Sequence, residues 1–218
     1  MDLPFTPAEF FAVFVRYNQS VWPLQVVLLG SALIAAWLTA FRGPRGATAA
    51  LIILALLWIW MGVVYQGWFF RSINPAATIF MIVFLCQGLL LLYAAFTRLV
   101  EGMVLDSAGL IGGALILYAL VVYPALGYFL GHRYPASPTF GLPCPTTLFT
   151  LGLLLWMRPV PWLLFIIPLG WAAIGTSAAV KLGVQEDFGL ALGGAAALLG
   201  VLLARRATTG TAVNRIAA

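Results

Sequence analysis

The chain has 218 residues, 63% of them hydrophobic and 8% charged. With a mean hydropathy of +1.06, a water-soluble domain is excluded, because such a surface needs roughly a quarter of its residues charged. The net charge of +5 comes from arginines placed singly between apolar blocks, with Arg205 and Arg206 after the last. That placement points to membrane topology and anionic lipid, not to nucleic acid.

Thr6-Pro7-Ala8-Glu9 is a capping box with proline at the first helical position. It opens a short amphipathic helix within residues 1–20, with Phe10, Phe11 and Phe14 on one face and Glu9, Arg16 and Asn18 polar. Trp22-Pro23 ends it, and it reads as a helix lying in the membrane interface.

Apolar blocks follow at about 21–41, 47–67, 76–97, 108–130, 139–157, 162–180 and 188–204. A helix rises ~1.5 Å per residue and the hydrocarbon core is ~30 Å thick, so about 20 apolar residues cross it. The sequence therefore predicts an all-α, polytopic transmembrane helix bundle of seven spans behind a short N-terminal interfacial helix. One integral membrane domain covers 1–206, and 207–218 reads as a short flexible tail. Asp2 and Glu9 stand where a signal peptide is basic, so the first span is expected as an uncleaved anchor.

The fifth block is broken by proline. Between Pro145 and Pro159 the apolar helix is short, so Pro138 to Pro143 must enter the membrane for the block to cross. The alternative is six spans and one re-entrant segment. With seven spans, Arg16, Arg71, Arg133 and Lys181 lie on one side. Arg42, Arg45, Arg98, Arg158, Arg205, Arg206 and Arg215 lie on the other. Positive residues favour the cytoplasm, which puts the N-terminus outside and the C-terminus inside. Six spans reverse the tally, and Arg42-Gly43-Pro44-Arg45 then opposes it.

Trp68, Phe69 and Phe70, Tyr123 and Tyr128, and Trp156 and Trp162 fall where spans meet headgroups. Small residues crowd the last two spans, from Gly170 to Ala179 and from Gly189 to Gly200, predicting a tight hairpin. Gly109, Gly112 and Gly113 do similar work at the start of the fourth. Gln87 is placed to bond across a helix interface. Cys86 and Cys144 differ in depth by about 15 Å, too far for a disulfide. His132, beside Arg133, reads as a wet interfacial residue.

The longer loops, Trp68 to Pro75, Gly131 to Pro145 and Lys181 to Asp187, share the face of the N-terminal helix. Two of them end alike. Asn74-Pro75-Ala76-Ala77 opens the third span and Cys144-Pro145-Thr146-Thr147 the fifth. Each is expected to put a small polar residue at a helix N-cap and proline at N1. Free N–H groups and a partial positive charge then face the mouth, which suits an anion or polar ligand. Broken segments of this kind point to transporter-like sites. Arg71 and Arg133 are placed to attract the ligand, and with Gln185, Glu186 and Asp187 to pair across the mouth. Cys144 at a helix N-terminus has a route to a lowered thiol pKa.

No Asp, Glu, Lys or Arg lies deep in a span, against a proton-driven pump. Phosphate-loop, dinucleotide, zinc-protease and serine-hydrolase motifs are missing. The sequence implies no catalytic residues, no metal and no cofactor.

As a set, Phe5-Thr6-Pro7-Ala8-Glu9-Phe10-Phe11, Arg16-Tyr17-Asn18, Trp22-Pro23, Ile73-Asn74-Pro75-Ala76-Ala77, Cys144-Pro145-Thr146-Thr147 and Gly183-Val184-Gln185-Glu186-Asp187 resemble a bacterial multi-pass membrane family of unknown function. The likeness covers most of the chain. It implies a bacterial inner-membrane protein and attaches no mechanism. The expected function is a small permease-like or ligand-binding protein. Its polar or anionic solute would sit at the extracytoplasmic mouth between the third, fifth and seventh spans. Two other readings stand beside it. One is a structural or accessory subunit holding a protein partner or a second copy of itself. The other is a membrane thiol enzyme using Cys144. The lipid bilayer is a partner on every reading, and nucleic acid is not.

Overall fold

The capping box forms as its spacing requires. In the computed structural model, Thr6 N donates to the Glu9 carboxylate at 2.8 Å, and Glu9 N donates to Thr6 Oγ1 at 3.3 Å. These bonds hold the exposed Glu9 carboxyl below its ordinary pKa. The helix they start, α1 (Pro7–Val21), buries Phe10, Val13, Phe14 and Tyr17. It packs across one end of the bundle, with Phe14 stacked on Tyr65 at 6.3 Å and Phe10 edge-on to Phe70 at 6.0 Å. Burial pushes the Tyr17 phenol up to about 12, although it accepts a hydrogen bond from Trp60 Nε1 at 2.8 Å. The structure describes the backbone of residues 4–216 and the side chains of 4–205 other than Ala178.

Seven further helices follow among the described residues. They are α2 (Leu24–Phe41), α3 (Gly43–Ser72), α4 (Ala77–Phe96), α5 (Ser107–Phe129), α6 (Pro143–Trp156), α7 (Trp162–Leu182) and α8 (Phe188–Ile216). All but α6 are long and apolar enough to cross a membrane, which fits a multi-pass membrane protein. Their outer faces carry exposed Leu33, Ile79, Leu110, Val180 and Leu192, as lipid-facing helices do. The stretch expected as a tail is helical as far as Ile216.

The fifth apolar block departs from the rest. Helix α6 has 14 residues, ~21 Å of rise, short of a ~30 Å core. Nearly every residue in it is buried, the pattern of a central helix. After α1, the described residues thus give six long apolar helices and one short one. Yet α6 still runs from end to end. Its first turn meets Asp187 at the head of α8, and the two residues that follow it pair with the segment after α4. That pairing is antiparallel, between β1 (Gly102–Met103) and β2 (Met157–Arg158). Asp106 caps α5 by accepting from Gly109 N at 2.8 Å, and its carboxylate also accepts from Arg158.

Close approaches between helices sit where the small residues are. Gly112 and Gly152 cross where α5 meets α6, and a Cβ on either would lie 2.6 Å from the other's carbonyl oxygen. Gly194 of α8 packs on Ala172 of α7, and Gly175 on Leu190, which is the expected hairpin. Gln87 Nε2 donates to Leu164 O at 3.0 Å, across the expected helix interface. Two π-helical stretches interrupt the long helices, Met61–Phe69 in α3 and Tyr118–Val122 in α5. Such wider turns recur at functional sites because they re-aim the side chains beyond them. Here those side chains include Tyr65, Gln66 and Tyr123.

Candidate functional site

The long loop between α5 and α6 is fixed by one residue of α1. Asn18 Nδ2 donates to Pro135 O at 2.7 Å and to Ser137 O at 2.8 Å. Its Oδ1 accepts from Thr139 Oγ1 at 2.7 Å, and its backbone oxygen accepts from Gln25 Nε2 at 2.7 Å. Asn18 is fully buried, not on the wet face of an interfacial helix as its polarity suggested. A loop held this way has few conformations left to it.

The fixed loop carries His132 over the head of α8. His132 Nδ1 lies 2.8 Å from Glu186 Oε1 and 2.9 Å from Oε2. Gly127 leaves room for this contact, since a Cβ there would stand 3.3 Å from Glu186 Oε1. Phe11 lies against the imidazole at 4.7 Å. His132 is therefore a partly buried hydrogen-bond partner of Glu186 and not a free interfacial residue.

The next residue faces the other way. The 3-10 turn Gln185–Asp187 advances side chains by about a third of a turn per residue. The Asp187 carboxylate accepts from the Tyr123 hydroxyl on one oxygen and from Cys144 Sγ at 3.3 Å on the other. Two adjacent, buried carboxyl groups thus front two different cavities. Glu186 lines one of about 340 Å³ together with His132, and Asp187 lines one of about 150 Å³ together with Asn74 and Cys144. The walls of the smaller cavity include Phe10, Phe14, Tyr65 and Trp171, and Lys181 also reaches it.

Several expected site residues fall elsewhere. Arg71, Arg133 and Gln185 are exposed and line neither cavity. The Arg133 guanidinium lies over the Tyr128 ring at 4.8 Å, so the expected pairing of Arg71 and Arg133 with Glu186 and Asp187 does not form. Thr146 is buried and accepts from Gly141 N at 3.2 Å. Thr147 is buried, with no partner for its hydroxyl among the described residues. Neither threonine lines the two cavities.

The helix starts also differ from expectation. Helix α6 begins at Pro143 with Leu142 as its N-cap, so Cys144 lies inside the first turn. Asn74 precedes α4 by a turn. Its Oδ1 accepts from Ala76 N at 3.0 Å and its backbone oxygen from Ala77 N at 3.0 Å. Thr78 N and Ile79 N are also bonded within that turn, leaving little donor capacity for an anion. Cys144 gives its hydrogen to Asp187, the arrangement of a protonated thiol and not of an activated thiolate. Both cysteines are free, and no group of three His, Cys, Asp or Glu able to hold a metal occurs among the described residues.

Sequence pattern put Asn18 on a wet helix face and Tyr123 at the headgroups, with no part in the site, and singled out neither Gln25 nor Gln66. Gln25 and Gln66 had a usable signal, a lone amide inside an apolar block, which at membrane depth must find a partner.

These features define a helical bundle of membrane-spanning type with a recessed, acid-bearing end. Residues 7–213 match a family of unknown function (DUF6064), and the chain belongs to that family. Neither a curated protein nor a solved structure matches it.

Proposed function

We propose that the protein is a bacterial inner-membrane, permease-like binding protein for a small polar solute, taken up at the extracytoplasmic end. One observation carries this reading. The starts of α4, α6 and α8, which are the third, fifth and seventh apolar blocks, meet in one recess lined by Asn74, Cys144 and Asp187. A concave site with aromatic walls and a few convergent polar groups is the common form of a small-molecule site. With Asp187 and Lys181 both at its wall, the recess suits a polar solute that carries a donor group. Arg71 and Arg133, at the surface of the same end, act only as long-range attraction for charged species. The larger share of arginines belongs to the opposite end, which makes that end cytoplasmic and the recess extracytoplasmic.

The test is calorimetry on purified protein in lipid nanodiscs, against a panel of small amines, amino acids, polyols and carboxylates. Saturable binding that Asn74→Ala and Asp187→Asn each weaken at least tenfold supports the reading. A protein that binds none of the panel, or binds equally well with both substitutions, sinks it. Reporter fusions at the two termini test the orientation.

A second reading has its own support. An open groove between α7 and α8 is lined by small residues, including Ala172, Ala173, Gly194 and Ala195, and small-residue faces bind other helices in membranes. Recovery of a stoichiometric partner in mild detergent favours this accessory-subunit role.

A further inference from the structure

The larger cavity has a chemistry that the smaller one lacks. It lies between α2 and α5, beneath the loop that Asn18 fixes. Gln25 lines it and is 7% exposed. Its Nε2 is used by Asn18 O, and its Oε1 has no partner among the described residues. A buried carbonyl oxygen without a donor is a cost that an incoming N–H removes.

Three of the hydroxyls around it give their hydrogens to the protein. Tyr134 donates to Asn18 O at 3.3 Å, Thr139 to Asn18 Oδ1 at 2.7 Å, and Tyr123 to Asp187. With those hydrogens used, these three oxygens have only lone pairs to offer a ligand, while Tyr128 and Ser137 line the cavity with hydroxyls that can accept as well as donate. Glu186 adds a carboxylate whose oxygens also meet Nδ1 of the lining His132, and no lysine or arginine is among the lining residues. The Tyr123 and Tyr134 rings add the negative faces that hold cations, while the Tyr128 ring already holds Arg133. Acceptors, negative charge and aromatic faces together select a cationic donor. The outer rim is apolar and lipid-facing, since Val26 and Leu29 of α2 line the cavity and are exposed. Whatever enters can keep an apolar chain in the bilayer.

We propose that this cavity binds the ammonium head of an amine-bearing amphiphile. Its N–H groups donate to Gln25 Oε1 and the Glu186 carboxylate, and its chain leaves between α2 and α5 past Val26 and Leu29. The amine belongs either to a lipid headgroup or to a free long-chain amine. This site is separate from the recess at Asn74.

The experiment uses the full chain in phosphatidylcholine nanodiscs, titrated with decylamine, decanol and decyl phosphate, with empty nanodiscs as the blank. Saturable binding of decylamine alone is expected. Gln25→Leu and Val26→Trp should each weaken it at least tenfold, while Asn74→Ala leaves it unchanged. Val26→Trp acts from the lipid face, so it decides the matter if Gln25→Leu does not fold. Native mass spectrometry after reconstitution with phosphatidylethanolamine and phosphatidylglycerol then separates the sources. Selective retention of the ethanolamine lipid assigns the site to a headgroup. Decylamine binding without that retention assigns it to a free amine. No saturable decylamine binding above the blank, equal binding of decanol or decyl phosphate, or binding unchanged by Val26→Trp overturns the proposal.

Discussion

His132 Nδ1 bridges both carboxylate oxygens of Glu186, at 2.8 and 2.9 Å, joining the loop after α5 to the head of α8. The Glu186 side chain has no solvent exposure and that of His132 has 20%. Removing the imidazole leaves the buried Glu186 oxygens without that partner, at a cost of ~1–3 kcal/mol. His132→Ala should therefore lower the thermal midpoint of the detergent-solubilised protein by several degrees. Glu186→Gln keeps a hydrogen-bond acceptor for the imidazole and should cost less than half as much. Equal midpoints for His132→Ala and wild type would show that the contact contributes nothing.

At the opposite end, Asp106 links the N-terminus of α5 to Arg158 after α6. Partial burial acts to raise its pKa. The Arg158 hydrogen bond, the Gly109 N–H and the arginine charge outweigh that and hold the carboxyl below its usual value. A lowered folded-state pKa gives stability that is complete above the ordinary carboxylate pKa of ~3.9, and that is lost as pH falls through the folded value. Unfolding midpoints measured from pH 6 to pH 2.5 should therefore fall more steeply for wild type than for Asp106→Asn. Asparagine still caps the helix, so the two proteins should converge at the acid end. The side chain is 35% exposed, and solvent screening keeps the effect small. Parallel curves would exclude the pair as a source of pH dependence.

The helical bundle was legible because hydropathy reports burial in lipid directly. The capping box at Thr6 was legible because its chemistry is local in sequence. The α7 and α8 hairpin was legible because small residues have a single strong use in membranes. The site was legible only in part. Asn74, Cys144 and Asp187 line one cavity, which alternating topology allows because every second loop shares an end. Their partners were not legible, because a side chain's direction depends on turn type. Pro143, and not Pro145, takes the first helical position of α6, which moves Cys144 into the helix. The π-helical stretches shift the register of Tyr65 and Tyr123. The fixed loop reverses His132 from solvent to carboxylate. None of these leaves a periodic trace in the sequence.

Gly112 and Gly152 set the distance between α5 and the central helix. A Cβ at either position meets the other's carbonyl oxygen at 2.6 Å, and backbone cannot step aside as a side-chain tip can. Gly112→Ala or Gly152→Ala should cost ~1–3 kcal/mol through overpacking, despite alanine's better helix propensity. Gly170 has nothing within 4 Å of its added Cβ, so Gly170→Ala should be neutral or slightly stabilising. Thermal midpoints of the three variants in one detergent make the comparison. A Gly152→Ala protein as stable as Gly170→Ala would mean the helices are not this close.

Gln66 is fully buried in the π-helical stretch of α3, and neither atom of its amide has a partner among the described residues. Each such group carries a desolvation cost with no hydrogen bond to offset it, about 1–3 kcal/mol. Methionine has nearly the same length and flexibility without the polar atoms. Gln66→Met should therefore raise the thermal midpoint, by an amount equivalent to ~1 kcal/mol or more. If the amide instead serves solute passage, the stabilised variant will bind the solute as wild type does but lose transport in proteoliposomes. Stability and flux measured on the same preparation separate the two contributions. A Gln66→Met protein that melts earlier than wild type would show that the amide is satisfied, and that this turn of α3 is polar by structural need.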